Sequence, residues 1–312
     1  VAGLAAVLAA STTAYTVVKL VGAAYPVFLG VQVLRQSRRV RSQALARHTR
    51  LRRGHRARNA DGPAPTVRPL RPPERNRAMM HDDDPVLDDP VGESLGGRHA
   101  HLARRLGRAA TYLTDVATFS SVSADPDAAD WSDLARLLGP GAFADMFNCP
   151  AVAPANWEPV FSLEGRQMIW PGGSHPDRPG SECGTDVVEL GAESVPEMLD
   201  LAALTEPGPF WPRTHELGAY LGVRVDGTLV AMAGERLRPP GWTEISAVCT
   251  APGARGQGHG ARLVRALAER IVARGERPFL HVAEANTGAI TLYERLGFKT
   301  RRPVTFRGFR TP

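Results

Sequence analysis

The chain has 312 residues, 43% of them hydrophobic, a formal net charge of +6 and three cysteines, Cys149, Cys183 and Cys249. That length supports two compact units with a sizeable core. An odd, widely spaced set of cysteines without a Cys-x-x-Cys pair excludes a disulfide framework or a zinc ribbon and suits a reducing cytosol. The charge is unevenly spread. Fourteen arginines stand against Asp61 and Glu74 between Arg35 and Arg77, and together with Lys19 they leave residues 78–312 at −7. The globular part therefore offers no basic face for nucleic acid.

Val1 to Leu34 is almost wholly apolar, with Lys19 its only charge. It is long enough for one spanning helix, or two short ones around Ser11-Thr12-Thr13, with arginines following on the cytoplasmic side. A signal peptide fits poorly, because the positive charge follows the apolar core. Thr13 to Arg35 resembles about one segment of the lysine/threonine exporter family, whose members have several spans. A lone fragment builds no closed pathway, and Pro26 interrupts it. Two readings stand: a membrane tether through residues 1–34, or a segment translated without belonging to the folded protein. Met79-Met80 ahead of a sensible domain start, with no initiating methionine at position 1, favours the second. Residues 36–80 are rich in Arg, Pro and Ala without hydrophobic period, which predicts a disordered, solvated linker. No aromatic residues interleave there to stack on bases.

Residues 81–180 form the next unit. His81-Asp82-Asp83-Asp84 and His99-Ala100-His101 lack a second cluster at ligand spacing, so they read as surface residues and no metal site is expected. His101 to Leu113 and Trp131 to Leu138 read as helices, the second with Asp130 or Ser132 near its start. Trp157 to Trp170 reads as a hairpin turning at Glu164-Gly165, and Pro171 to Ser181 as a boundary.

Residues 181–312 form the last unit. Asp186 to Leu190 is its first strand, Val195 to Leu204 a helix, and Phe210 to Leu217 a helix and loop. Tyr220–Val225 and Thr228–Leu237 flank Asp226-Gly227, a two-residue turn signal. Trp242 to Thr250 is a strand stopped by Ala251-Pro252-Gly253. Leu263, Leu267 and Ile271 then recur every four residues before Gly275, an amphipathic helix with a stop. Between strand and helix lies Ala254-Arg255-Gly256-Gln257-Gly258-His259-Gly260. A glycine-rich turn into a helix N-terminus binds anions, since the first-turn N–H groups lack intrahelical partners. The loop ends Gly260-Ala261-Arg262, which excludes a P-loop, and its Gly-x-Gly-x-Gly spacing excludes a dinucleotide fingerprint. Pro278 to Glu284 then reads as a short buried strand. After it Asn286 is a helix N-cap, Ala289, Leu292, Tyr293 and Leu296 share a face, and Gly297 is a stop.

The loop pattern Arg/Gln-x-x-Gly-x-Gly/Ala, met by Arg255, Gly258 and Gly260, resembles that of the GNAT superfamily, the acetyl-CoA-dependent N-acetyltransferases. The second signature, Asn-x-x-Ala-x-x-Leu-Tyr-x-x-x-Gly-Phe, runs from Asn286 to Phe298 without a gap. The resemblance implies an α/β GNAT fold, a mixed and mostly antiparallel sheet flanked by helices. Residues 81–180 resemble the degenerate GNAT-like half that precedes the active one in a group of actinobacterial members, and no phosphate loop occurs there.

The resemblance also implies a site. Acetyl-CoA would be the cosubstrate, its pyrophosphate held by Arg255, Gly256, Gln257, Gly258, His259 and Gly260, with Asn286 alongside. Main-chain groups of Val248, Cys249 and Thr250 would hold the pantetheine arm. Tyr293 stands where several members keep the acid that protonates the thiolate, which suits a phenol with a pKa near 10. Glu244, eleven residues before Arg255, is the candidate general base, and strict alternation puts it on one face with Ser246, Val248 and Thr250. His281 and Glu284 are reserves, and Cys249 as an acyl carrier is disfavoured. The expected reaction is direct acetyl transfer to a small-molecule or peptide amine in the cytoplasm. The alternative is an acyl-CoA-binding sensor or scaffold without useful turnover.

Overall fold

The computed structural model describes residues 83–147, 149, 151–171 and 187–312. The apolar segment, the linker and His81-Asp82 lie outside the described residues. Among the described residues no helix is long and apolar enough to cross a membrane.

Among the described residues the first α-helix is α1 (Pro90–Gly96), followed by strands β1 (Ala103–Leu106), β2 (Ala109–Tyr112) and β3 (Ser120–Ser121) in a small antiparallel sheet. The helix expected over residues 101–113 is thus a hairpin. Gly107 takes φ +55° at its turn, a conformation that glycine adopts without steric cost and a helix interior does not use. His99 is likewise no surface residue. It is buried, taking the Tyr112 hydroxyl at 2.8 Å on Nδ1 and contacting the Leu217 carbonyl at 3.0 Å through Nε2. Helix α2 (Ala128–Leu138) starts one turn earlier than Trp131. The Asp127 carboxylate accepts from the amides of Ala129 and Asp130, and Asp130 returns a bond to the Asp127 amide. That reciprocal capping box fixes the start.

Strands β4 (Phe143–Phe147) and β5 (Glu158–Ile169) come next, then β6 (Val187–Glu189), helix α3 (Val195–Thr205), β7 (Tyr220–Val225), β8 (Thr228–Glu235) and β9 (Trp242–Thr250). Helix α4 (His259–Ala273), β10 (Arg277–Ala283), helix α5 (Thr287–Arg295) and β11 (Lys299–Arg310) complete the chain. The large sheet runs β4-β11-β5-β10-β9-β8-β7-β6. Among the described residues its only parallel strand pair is β9–β10. β5 is one strand rather than a hairpin. A Cβ at Gly165 would lie 2.4 Å from the Phe306 ring of β11, so that glycine admits a close neighbour instead of turning the chain. The boundary expected near residue 180 lies outside the described residues; β5 and β6, on either side of it, belong to this same sheet, and His81–Pro312 groups as one compact unit.

Helices α4 and α5 cover one face. Leu263, Val264, Leu267 and Ile271 pack on Leu221, Val223, Ile245 and Leu280, with Ile290 and Tyr293 from α5. Each buried leucine of this kind contributes on the order of 2 kcal/mol. The opposite face carries two clusters. Residues from the amino-terminal layer pack on Trp242 and Phe279, and α3 packs on Tyr220, Met232 and Cys249.

Candidate active site

The site begins where β9 and β10 part. They pair only over Trp242↔Arg277, Thr243↔Pro278 and Glu244↔Phe279. Beyond that point β10 follows β5 and β9 follows β8. The edge of β9 from Ile245 to Thr250 therefore has no strand against it on the β10 side, although main-chain groups need partners. β9 is also bulged. Cys249 faces Met232 but Ser246 faces Gly234, one residue extra on β9, and Ala247 has φ +52°. Such a bulge turns consecutive side chains to the same side. Ala247 and Cys249 pack in the cluster under α3, while Val248 packs with the helix-face cluster. Strict alternation from Glu244 thus fails at Ala247, and Val248 is on the other side of the sheet.

The loop after β9 lines a cleft of about 210 Å³ together with Thr250, His259, Gly260, Ala261 and Leu292. Gly256 and Gly258 take φ +81° and +77°, conformations that disfavour any side chain, and a Cβ on either would meet nothing within 4 Å. The space above them is open to a ligand, and Gly258 is the N-cap of α4, whose first-turn amides end there. Gly260 differs: its φ is ordinary, and a Cβ would rest 3.8 Å from Leu292 and Val248. Arg255 Nε donates to the Thr250 carbonyl at 3.2 Å, tying the loop to the strand. Arg255 and Gln257 are exposed, whereas His259 is buried, with Nδ1 2.5 Å from Arg262. The open glycines and amide-lined helix end fit a diphosphate.

Asn286 caps α5, its side-chain oxygen accepting from the Ala289 amide at 3.2 Å. Tyr293 lies on α5 in the helix-face cluster, its ring 6.1 Å from Phe298. Burial pushes its hydroxyl up to about 12, so it stays protonated and able to donate.

Glu244 is fully buried. Its carboxylate accepts from Arg236 Nε at 2.8 Å and Arg236 Nη2 at 2.6 Å, and His281 Nδ1 lies 2.6 Å away. Burial alone would raise its pKa, but the guanidinium and the hydrogen bonds outweigh that and hold it at about 2. A carboxylate so held is a poor proton acceptor at neutral pH. The physical reason lies in Arg236, which the sequence reading missed: its guanidinium lies against the neighbouring rings of Phe119 and Phe147, at 5.0 and 4.7 Å. His281 has its pKa lowered, chiefly by burial. Its Nε2 lies 3.2 Å from the Gln167 amide nitrogen, which assigns the proton to Nδ1, donating to Glu244. Glu284 instead forms a fork with Arg166, at 2.7 and 2.5 Å, on the sheet's exposed end. Burial raises the Cys249 thiol, which suits a packing residue. Tyr220 is a second residue missed. Its hydroxyl is buried without a hydrogen-bond partner among the described residues, as is Trp211 Nε1.

The family model described as FR47-like protein matches residues 220–306. A solved GNAT-family acetyltransferase structure from Novosphingobium aromaticivorans is 38% identical, with a TM-score of 0.64, over 73% of this chain and 99% of that one. The chain belongs to the GNAT family of acetyltransferases. A GCN5-related N-acetyltransferase from Kribbella flavida, 18% identical, shares the fold at a TM-score of 0.52 over 72% of this chain and 96% of that one. Among curated protein sequences none matches. In this GNAT chain the released edge of β9, its bulge and the glycine loop are successive parts of one continuous segment, β9 to α4.

Proposed function

We propose that the chain transfers an acetyl group from acetyl-CoA to a primary amine by direct attack. The observation that carries this reading is the released edge of β9 running into the open glycine cleft at the start of α4. Acetyl-CoA supplies the activated acyl group. The loop from Arg255 to Gly260 would hold its diphosphate, and Asn286 would stand beside it. Main-chain groups of Val248, Cys249 and Thr250 would take its extended arm in place of the missing strand. Tyr293 serves as proton donor to the departing sulfur, while the amine's own proton leaves through solvent. Glu244 keeps the strand junction charged and rigid; it anchors rather than abstracts. The buried, free Cys149 and Cys249 suit a reducing cytoplasm.

Calorimetric titration with coenzyme A, followed by thiol release with a panel of amines, tests the reading. No affinity for coenzyme A would refute it. One observation favours a second reading, an acyl-CoA-binding sensor: the carboxylate at the base position is locked to Arg236. Tight binding with no thiol release across the panel would establish that reading instead.

A further inference from the structure

The face of the sheet opposite α4 and α5 holds a hydroxyl that the reaction above does not use. Tyr220 starts β7, pairs with Gly234 of β8, and Gly234 in turn pairs with Ser246 of β9. The tyrosine ring lies flat across Gly234. A Cβ there would come within 2.2 Å of Cε1 and 2.5 Å of Cζ, so glycine is required for the ring to cross β8 at all. The ring therefore carries its hydroxyl past β8 toward Ser246 and Ala247, the bulged part of β9. Arg236, Glu244 and Cys249 are among the ionisable groups acting on it.

That hydroxyl belongs to a residue 1% exposed and has no hydrogen-bond partner among the described residues. Leaving a buried hydroxyl unpaired costs about 1–3 kcal/mol, and a phenylalanine would fill the same space without that cost. The cluster around it, with Phe210 edge-on at 5.7 Å, is apolar. Its position is what distinguishes it. The acyl group, on the reading given above, lies in the gap between β9 and β10, and a nucleophile must approach a carbonyl from above its plane. α4 and α5 close one side of the sheet; Tyr220 stands on the other.

We infer that the Tyr220 hydroxyl accepts a hydrogen bond from the attacking amine and aims its lone pair at the acyl carbon. This rests on the acetyl-transfer reading and adds an acceptor-side residue to it. The hydroxyl's pKa is raised, chiefly by burial, so it takes no proton from the amine: it positions, and the proton leaves elsewhere. An amine on an uncharged, apolar body matches the apolar side chains around it.

The test uses the full chain and its Tyr220→Phe variant. The probes are acetyl-CoA with putrescine, phenethylamine, glucosamine or an alanyl-peptide, and acetyl-CoA in water alone. Expected is a drop of about 10-fold or more in kcat/KM for the amine, the cost of losing one hydrogen bond of 1.4 kcal/mol or more. Coenzyme A affinity and the slow hydrolysis of acetyl-CoA should stay unchanged, with Tm equal or higher. A purely structural tyrosine would leave the amine kinetics unchanged, or lower amine transfer and hydrolysis alike; either result overturns the inference while leaving acetyl transfer intact. Wild-type chain that binds coenzyme A but acetylates none of the four amines overturns both.

Discussion

On the helix side of the sheet, Leu263, Leu267, Ile271, Leu280 and Tyr293 form an apolar layer, and the ligand surface there is main chain: two left-handed glycines and a helix end. On the other side, Arg236, Glu244, His281 and Gln167 are buried in one hydrogen-bonded chain beneath the amino-terminal layer. The difference teaches a division of labour. Backbone recognition tolerates any side chain that leaves the amides open, whereas the buried polar chain depends on each partner being present.

The sharpest break falls on the polar side. Glu244→Gln leaves the Arg236 guanidinium, which lies against two phenyl rings, without the carboxylate that pairs with it. Loss of one member of a buried ion pair costs about 3 kcal/mol or more. Because the folded-state pKa is depressed, the wild-type advantage is present above the ordinary value of 4.5 and fades as pH falls toward about 2. Urea unfolding at pH 7 and pH 3 checks it: the gap between variant and wild type should narrow at the lower pH. An unchanged gap would mean that packing, and not charge, holds this junction.

The helix side breaks at the backbone. Proline fixes φ near −65°, while Gly258 needs +77°, so Gly258→Pro should cost roughly 3 kcal/mol in the bound loop, about 10²-fold in coenzyme A affinity or more. Calorimetry reads this directly, and the overall fold should survive. Tyr293→Phe removes a hydroxyl from the same side without touching the loop. Turnover should fall by about 10²-fold, the range for a general acid, with coenzyme A affinity retained. Full turnover would make Tyr293 a packing residue. The smallest effect belongs to Gly260→Ala. Its added methyl meets only ordinary contacts at 3.8 Å, so affinity should change by less than about threefold, within the ±0.5 kcal/mol typical of unstrained substitutions. A large loss there would show that the ligand approaches the main chain at Gly260 more closely than at Gly258.

The two sides were also unequally legible in the sequence. The segment from Trp242 to Phe298 was readable because its signals are local: four-residue periodicity in α4, the Asn286 cap, and stops at Gly275 and Gly297, both of which take positive φ. The polar side is assembled from β4, β5, β8, β9 and β10 together, and no spacing announces that Arg236 meets Glu244. The bulge at Ala247 left no mark in residue type. Residues 101–113 misled differently. Leu102, Leu106 and the arginines repeat at helical spacing, yet Gly107-Arg108 was the turn signal that mattered. Gly165 shows the reverse error: an isolated glycine inside a strand pattern signals a bulge or a close neighbour, here the Phe306 ring.

The place of β5 has a consequence in time. This strand, Glu158–Ile169, lies between β10 and β11, both made more than a hundred residues later in the chain. At roughly 5–20 residues per second of synthesis, it waits on the order of ten seconds for its neighbours. During that interval Ile169 can pack on the earlier amino-terminal residues, but Met168, on the other face, still lacks its neighbours Leu263, Leu267 and Leu280. The helix-side face of β5 is thus open to chaperones, and to other copies of the chain, before α4 and the carboxyl-terminal strands arrive to cover it.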